Sequence, residues 1–570
     1  MTARSRWAAP LTARLSRRSA IRGGLAAGAG LAATGFAGCA AQRKPAGASN
    51  PSVIAPKQPK TGGTLVHAGG NTVGGADTEG VELDPQISQS AAARGFRLVY
   101  QGLLGYDFRT YAVQPEIAAK WEQVSPTEVV FTLQPGVKWH NKPPANGRDL
   151  IADDVVFSLN RIRGADPKFS QRSLFANFDK VEAIDKTRVR VTTKAPDATV
   201  LSYLSADPAM MVAPEVVQKY DKILSPEAVV GTGAFMLKTL EQKVAAEYVR
   251  NPDYWKAGQP YLDTVRTQRL SDTGTAYAAF LGGQIDVLYL PGAEVKGYID
   301  KQGAGYKPDW FNDDTTVEAF PNVRAKPMDD ARVTRSLRLL IDHDEFATAW
   351  AEPNFGRGSY GSIFCPALSP WDLSQDDYGK LLEWRKPKDD AVKEALTLLS
   401  AAGYTKDKPL SFEIAGRAGG FLSSATQLVQ AQWARLGQGA VKTTIKEYDL
   451  PTSYQVLANH TFAYFVVSNA GAFPDPDAWL GSMYRTGGSL NFAGAADATL
   501  DAMIDKQRTQ LDSAQRRASV KEIVTYMVDR GPTTIPSNRY FLNAVKPKVQ
   551  GFYPEFYING RQYEGVWLDA

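Results

Sequence analysis

Val129-Val130-Phe131-Thr132-Leu133, running into Gln134-Pro135-Gly136-Val137-Lys138-Trp139-His140, and then Ala152-Asp153-Asp154-Val155-Val156-Phe157-Ser158-Leu159-Asn160-Arg161-Ile162, decide the class of fold. The first run is β-branched and aromatic and stops at a Pro-Gly turn, which predicts a strand. The last has apolar residues at helical spacing, acids in its first turn and Arg161 near its end, as the helix macrodipole favours. Working outward, strand signals recur at Gly62–Ala68, Val189–Thr193 and Ala245–Val249, and helical patterns at Arg332–Leu340, Asp389–Ala402 and Gln427–Leu436. Strands and helices mixed along the whole length predict an α/β or α+β protein, with no short internal repeat.

The chain has 570 residues, 44% hydrophobic and 22% charged. That composition excludes collagen-like and largely disordered classes. From Gly63 onward there is room for two to four domains at about 150 residues each. Net charge is +5, but residues 1–38 hold six Arg and no acid, so without them the charge is −1. A nucleic-acid binder that relies on phosphate contacts keeps its basic surplus in the folded part, so that class is set aside.

The N-terminus reads as a leader. Arg14-Leu15-Ser16-Arg17-Arg18-Ser19-Ala20-Ile21-Arg22 is followed by Ala/Gly-rich residues from Gly23 to Gly38 and then Cys39. A charged segment, a short apolar segment and small residues before the exit point make a secretory signal peptide. Sixteen weakly apolar residues fall short of the roughly 20 that span a bilayer. Ser16–Arg22 resembles the twin-arginine export pattern, with Ala20 where Phe is commoner. Phe36-Ala37-Gly38-Cys39 resembles a lipobox, in which Cys39 takes the lipid and becomes the mature N-terminus. The tether from 39 to 62 is rich in Ala, Pro, Lys, Ser and Gly and has no apolar period. An extracytoplasmic, lipid-anchored body is expected.

A search for chemistry returns little. His67, His140, His343 and His460 are scattered, and neither His-Glu-x-x-His nor Cys-x-x-Cys occurs, so no metal and no cofactor is expected. No phosphate-cradling Gly-x-x-x-x-Gly-Lys and no Gly-x-Ser-x-Gly elbow occurs. The doublets Asp153-Asp154, Asp329-Asp330 and Asp389-Asp390 each precede a helical run and read as caps. Cys365 reads as a small core or loop residue. No catalytic constellation emerges, and an enzyme is not expected.

Segments in order along the chain do resemble a known family. They are Leu83-Asp84-Pro85; Val99-Tyr100-Gln101-Gly102-Leu103-Leu104; Pro115-Glu116-Ile117-Ala118; Phe131–His140; Ala152–Leu159; Gly231-Thr232-Gly233-Ala234-Phe235; Arg250–Trp255; Gly283–Val287; Asp329–Val333; and Asp475-Pro476. Together they resemble the family 5 extracytoplasmic substrate-binding proteins of ABC importers, which includes oligopeptide, dipeptide and nickel binders. The resemblance spans roughly residues 63–555.

It implies a two-lobed periplasmic-binding-protein fold (type II, cluster C) with an extra subdomain in lobe I and a two-crossover hinge. Lobe I would comprise 63–104, the extra subdomain 105–220, then 221–317 and 534–570; lobe II would be 318–533. It implies a non-catalytic, monomeric receptor that captures a small solute (peptide, sugar or other) and delivers it to an ABC permease in the membrane. Two alternatives stay open: a peptide-specific receptor of the same family, and a periplasmic sensor or adaptor without transport. Ligand-binding candidates, from position in the resemblance, are Gln89, Ser90, Arg417, Asn469, Phe473, Asn538 and Arg539. Peptide receptors of the family hold the peptide's ammonium with an Asp three residues before the Asp/Glu-Pro pair. Here that position is Ala472, which disfavours free peptide N-termini, because a buried ammonium without a carboxylate is costly.

Overall fold

A computed structural model describes residues 58–69, 82–87, 95–107, 110–166, 168–169, 171–270, 272–291, 307–350, 363–471, 473, 475–531, 533–552 and 561–569. These belong to one compact unit, Gln58–Ala570. The leader, Cys39 and the tether up to residue 57 lie outside the described residues.

In chain order, β1 (Thr64–Gly69) is followed by a short hairpin, β2 (Leu104–Tyr106) and β3 (Val113–Pro115). Then come β4 (Ala118–Ser125), β5 (Glu128–Leu133), β6 (Phe178–Asp185) and β7 (Arg188–Thr193), which form an antiparallel sheet in the order β4-β5-β7-β6. The predicted helix, Ala152–Ile162, packs on β6 and β7. Asp154 anchors its start: the carboxylate accepts the Ile151 N–H at 2.9 Å and two Arg148 N–H groups at 2.7 Å. Asp330 likewise caps the helix Ala331–Leu339 by accepting the Arg332 N–H. Asp389 and Asp390 sit in a first turn without a side-chain cap, so there the acids act on the helix dipole alone.

Apart from a small antiparallel pair at Val549–Gln550 and Trp567–Leu568, the rest of the strands are β8 (Phe235–Glu241), β9 (Ala245–Arg250), β10 (Thr264–Arg269), β11 (Val287–Pro291), β12 (Lys307–Pro321), β13 (Leu410–Arg417), β14 (Val441–Tyr448), β15 (Tyr464–Ala470) and β16 (Thr534–Val545). With β1 they make one ten-stranded sheet, ordered β14-β13-β15-β12-β16-β11-β1-β10-β9-β8. One side of it, β13 to β15, is wrapped by the helices Asp389–Ala401 and Gly420–Leu436 around buried Ile414, Trp433 and Tyr464. The other side holds β1 and β8 to β11. Only β12 and β16 belong to both, so the chain is two-lobed with a two-strand connection.

That connection is irregular. The β12·β16 ladder runs antiparallel from Lys307↔Val545 to Asn312↔Tyr540, then resumes at Thr316↔Asn538. A second shift falls between Val317↔Ser537 and Ala319↔Thr534. Bulges of this kind bend and twist a ribbon locally, which lets two rigid lobes share it.

Gly231 and Gly233, expected at a tight bend, owe their identity to a close backbone crossing. A Cβ on Gly231 would lie 2.0 Å from the Val99 carbonyl oxygen, and one on Gly233 2.5 Å from that of Leu98. His140 binds the same crossing, its backbone N–H donating to Gly231 O at 2.7 Å and its ring nitrogen meeting Gly233 O at 3.0 Å. Trp139 is fully buried, Trp121 and Trp255 pack on the same core, and Cys365 is buried in it.

Candidate functional site

Where the lobes meet, three strands lie abreast as β15-β12-β16. Thr316 on β12 stands opposite Asn469 on β15 and opposite Asn538 on β16. Two residues singled out from sequence, 69 positions apart, are thus brought into one row across the sheet by a third residue that sequence reading missed. Glu318, two residues on and so on the same face as Thr316, completes the group. Its carboxylate accepts the Thr316 hydroxyl and the Asn469 amide N–H, both at 3.1 Å. Glu318 is buried, and loss of water pushes its carboxyl up to about 7, against the two hydrogen bonds that favour ionisation.

Beyond β15 the chain turns through Gly471 against the face of Trp479, where a Cβ would lie 2.2 Å from the indole. Trp479 is buried against Phe364 and is a core residue rather than a stacking platform. Phe473 is also buried and meets the Tyr203 ring edge to face, centroids 4.7 Å apart. Next, Asp475 accepts the Ser202 hydroxyl at 3.2 Å and two guanidinium N–H groups of Arg516 at 2.8 and 2.5 Å. Asp477 accepts from Tyr203 Oη at 3.3 Å, Gln507 at 2.7 Å and Arg508 at 2.7 Å. The helix Val200–Ser205 is therefore pinned to the segment 473–477 by one ring pair and two hydroxyl bonds.

Arg417 ends β13, whose Gly416 pairs with Val466 on β15. Its guanidinium lies over the Tyr454 ring at 5.1 Å, and its buried Nη2 has no hydrogen-bond partner. A half-buried Arg with an unused donor, at the C-terminal end of parallel strands, is suited to an acceptor group. Gln89, Ser90 and Ala472 lie outside the described residues, as do the side chains of Asn538 and Arg539.

Among the described residues no group of three or more His, Cys, Asp or Glu could hold a metal, and no helix is long and apolar enough to cross a membrane. Thr316, Glu318, Ser202 and Tyr203 were not foreseen. Only Glu318 left a signal in the sequence: a lone acid among Val317, Ala319 and Phe320.

Residues 112–491 match the family of bacterial extracellular solute-binding proteins, family 5 Middle, which is more than half of the chain. The glutathione-binding protein GsiB of Pectobacterium atrosepticum is 27% identical over 383 residues, covering 64% of this chain and 67% of that protein. The dipeptide-binding protein of Escherichia coli is 23% identical over 495 residues, covering 82% of this chain and 89% of that protein. The crystal structure of Haemophilus influenzae OppA in complex with RPPGFSPFR superposes with a TM-score of 0.71 at 18% identity, over 90% of this chain and all of that one. Sheet order, the paired crossing strands and the family match agree: this chain belongs to the bacterial extracellular solute-binding proteins of family 5, the receptors of ABC importers.

Proposed function

We propose that the protein captures a small solute between its lobes, over the floor made by Asn469, Thr316 and Asn538, and hands it to an ABC permease without altering it. The observation that carries this reading is the paired passage of β12 and β16 between the two halves of one sheet, with polar residues gathered on it. Lobes joined by two strands close by bending at the join, and a solute that touches both favours the closed state. Lobe I is read as 63–104, 221–317 and 534–570 with the extra subdomain 105–220, and lobe II as 318–533. Gln89, Ser90, Arg417, Asn469, Phe473, Asn538 and Arg539 are proposed to face the solute. The signal peptide and Cys39 make the receptor a lipid-anchored, monomeric protein outside the cytoplasmic membrane, exported by the twin-arginine route.

Ala472 argues for a solute other than a free peptide, and Arg417 for one with a carboxylate or similar acceptor. A second reading, a peptide receptor, is favoured by the likeness to the dipeptide-binding protein and to OppA. Calorimetric titration with dialanine and with glutathione, alongside native mass spectrometry of protein purified from its own host, separates them. A co-purified non-peptide solute that is displaced intact is the expected result. Tight binding of dialanine establishes the peptide reading instead, and turnover of any bound solute refutes the receptor reading altogether. Cys39→Ser is expected to move the protein from the membrane to the soluble fraction; unchanged membrane association refutes the anchor.

A further inference from the structure

The connection between the lobes carries a carboxyl group that meets no counter-ion among the described residues. Glu318 sits on β12 inside the second register shift, between Val317↔Ser537 and Ala319↔Thr534. It is 3% exposed. Its described neighbours can be named element by element; the side chains of β16 beside it, Arg539 among them, lie outside the described residues. From β12 itself comes the Thr316 hydroxyl, and from β15 the Asn469 amide. From the turn Leu480–Tyr484 comes Tyr484, whose buried hydroxyl has no hydrogen-bond partner and feels both Glu318 and Asp372. Behind Tyr484, the Asp372 carboxylate accepts the Tyr378 hydroxyl and the Leu373 N–H, each at 2.7 Å. Among the described residues, none of these elements turns a Lys, Arg or His toward Glu318. Burial raises both acids, Glu318 to about 7 and Asp372 to about 6.

Two features separate Glu318 from an ordinary buried acid. It lies on one of the two strands that join the lobes, at the point where their mutual register shifts, while its ladder to β15 stays in register. Its partner Asn469 heads the segment that ends in the contacts of Phe473, Asp475 and Asp477 with Ser202 and Tyr203. A carboxylate that ionises here regains hydration only when water reaches the ribbon, which requires these strands to part.

We propose that Glu318 is a proton-operated latch of the connection between the lobes: protonated, it lets β12, β15 and β16 pack as in this structure and keeps the helix Val200–Ser205 against the segment 473–477; ionised, it favours the parted arrangement. The latch stands independently of which solute the cleft takes. A group whose acid form is favoured in the packed state stabilises that state at low pH. The stabilisation fades as pH rises from the ordinary carboxylate range, near 4.5, to about 7. With full hydration in the parted state, linkage lowers the packed-to-parted ratio roughly fiftyfold between pH 5 and pH 7.5. The released proton goes to solvent.

Small-angle X-ray scattering of the full-length protein from pH 5 to pH 8, without added solute, tests this. The radius of gyration of the wild type is expected to grow over that window. Glu318→Gln, which mimics the neutral acid, is expected to remain at the low-pH value throughout. Asp372→Asn removes the neighbouring acid, which is not on the connecting strands, and is expected to keep the wild-type response. Thr316→Val removes one hydrogen bond to the carboxyl and is expected to move the midpoint, which serves if Glu318→Gln does not fold. A wild-type radius that does not change with pH overturns the proposal. So does an unaltered response in Glu318→Gln, or an unmoved midpoint in Thr316→Val.

Discussion

Arg516→Met should destabilise the protein by about 3–5 kcal/mol, the penalty for removing one partner of a buried ion pair. The structure supports the upper part of that range. Both side chains of the Arg516–Asp475 pair are 5% exposed, so water does not replace the lost cation. The carboxylate would keep only the Ser202 hydroxyl at 3.2 Å and the Asp477 N–H at 2.9 Å, while two guanidinium bonds, at 2.8 and 2.5 Å, vanish. Gln507 Oε1 also loses the Arg516 Nε–H, at 2.8 Å. The Met stem still covers Trp371, over which the guanidinium lies at 5.1 Å, so packing changes little and the charge dominates. The double variant Arg516→Met/Asp475→Asn leaves no bare charge and should recover much of the loss. The assay is urea unfolding followed by tryptophan fluorescence on wild type, both single variants and the double. A coupling of about 2 kcal/mol is expected, well outside the 0.3–0.5 kcal/mol within which independent sites add. Strict additivity, or a cost below about 1 kcal/mol for Arg516→Met, would refute the view that this pair is desolvated and holds the segment 473–477.

Glu318→Gln should be more stable than wild type at pH 8 by at most about 3 kcal/mol, the cost of raising the packed carboxyl from 4.5 to about 7 at 1.36 kcal/mol per unit, less what parting of the strands recovers. Because the folded value lies above the unfolded one, wild type loses this stability as pH climbs from 4.5 through 7. The two proteins should therefore converge at pH 4.5 in denaturant titrations, and equal stability at both pH values counts against it. Tyr203→Phe removes the hydroxyl's bonds to Asp477 and Thr199 and should cost about 1 kcal/mol, whereas Tyr203→Ala also strips the ring from Phe473 and should cost about 3–5; thermal melting of both distinguishes them. Gly471→Ala places a methyl group 2.2 Å from the Trp479 indole and should cost about 1–3 kcal/mol through forced repacking, with a shift in tryptophan emission. An unchanged melting temperature would mean that the turn does not press on Trp479.

Much of the architecture was legible residue by residue, because its signals are local. The strand Val129–Leu133 and the helix from Ala152 announce themselves by periodicity and end charges, and they appear as β5 and the helix Ala152–Ile162. Family membership was legible for a related reason: its motifs are contiguous runs such as Phe131–His140 and Asp475-Pro476, each readable without knowing what it touches. The capping role of Asp154 and Asp330 followed from chain position. What the acid doublets do beyond that did not: Arg148 reaches Asp154 from a loop. The glycines at 231 and 233 were recognised as special, but the reason, the backbone of Leu98 to Tyr100 crossing within van der Waals distance, is a fact of tertiary structure.

The candidate site divides along the same line. Sequence alone determined the fold class and the order of motifs, because each depends on residue type and near neighbours, and the resemblance singled out Asn469 and Asn538 as candidates. Only the tertiary structure decided that Thr316 stands between those two, that Phe473 is spent on Tyr203, and that Glu318 is buried with an amide and a hydroxyl for company. The reason is register. β12, β15 and β16 are joined by pairings between residues more than 140 positions apart, and a slip of one residue would turn each side chain to the opposite face. The two shifts in β12·β16 belong to the pair of strands together, and no single strand carries them.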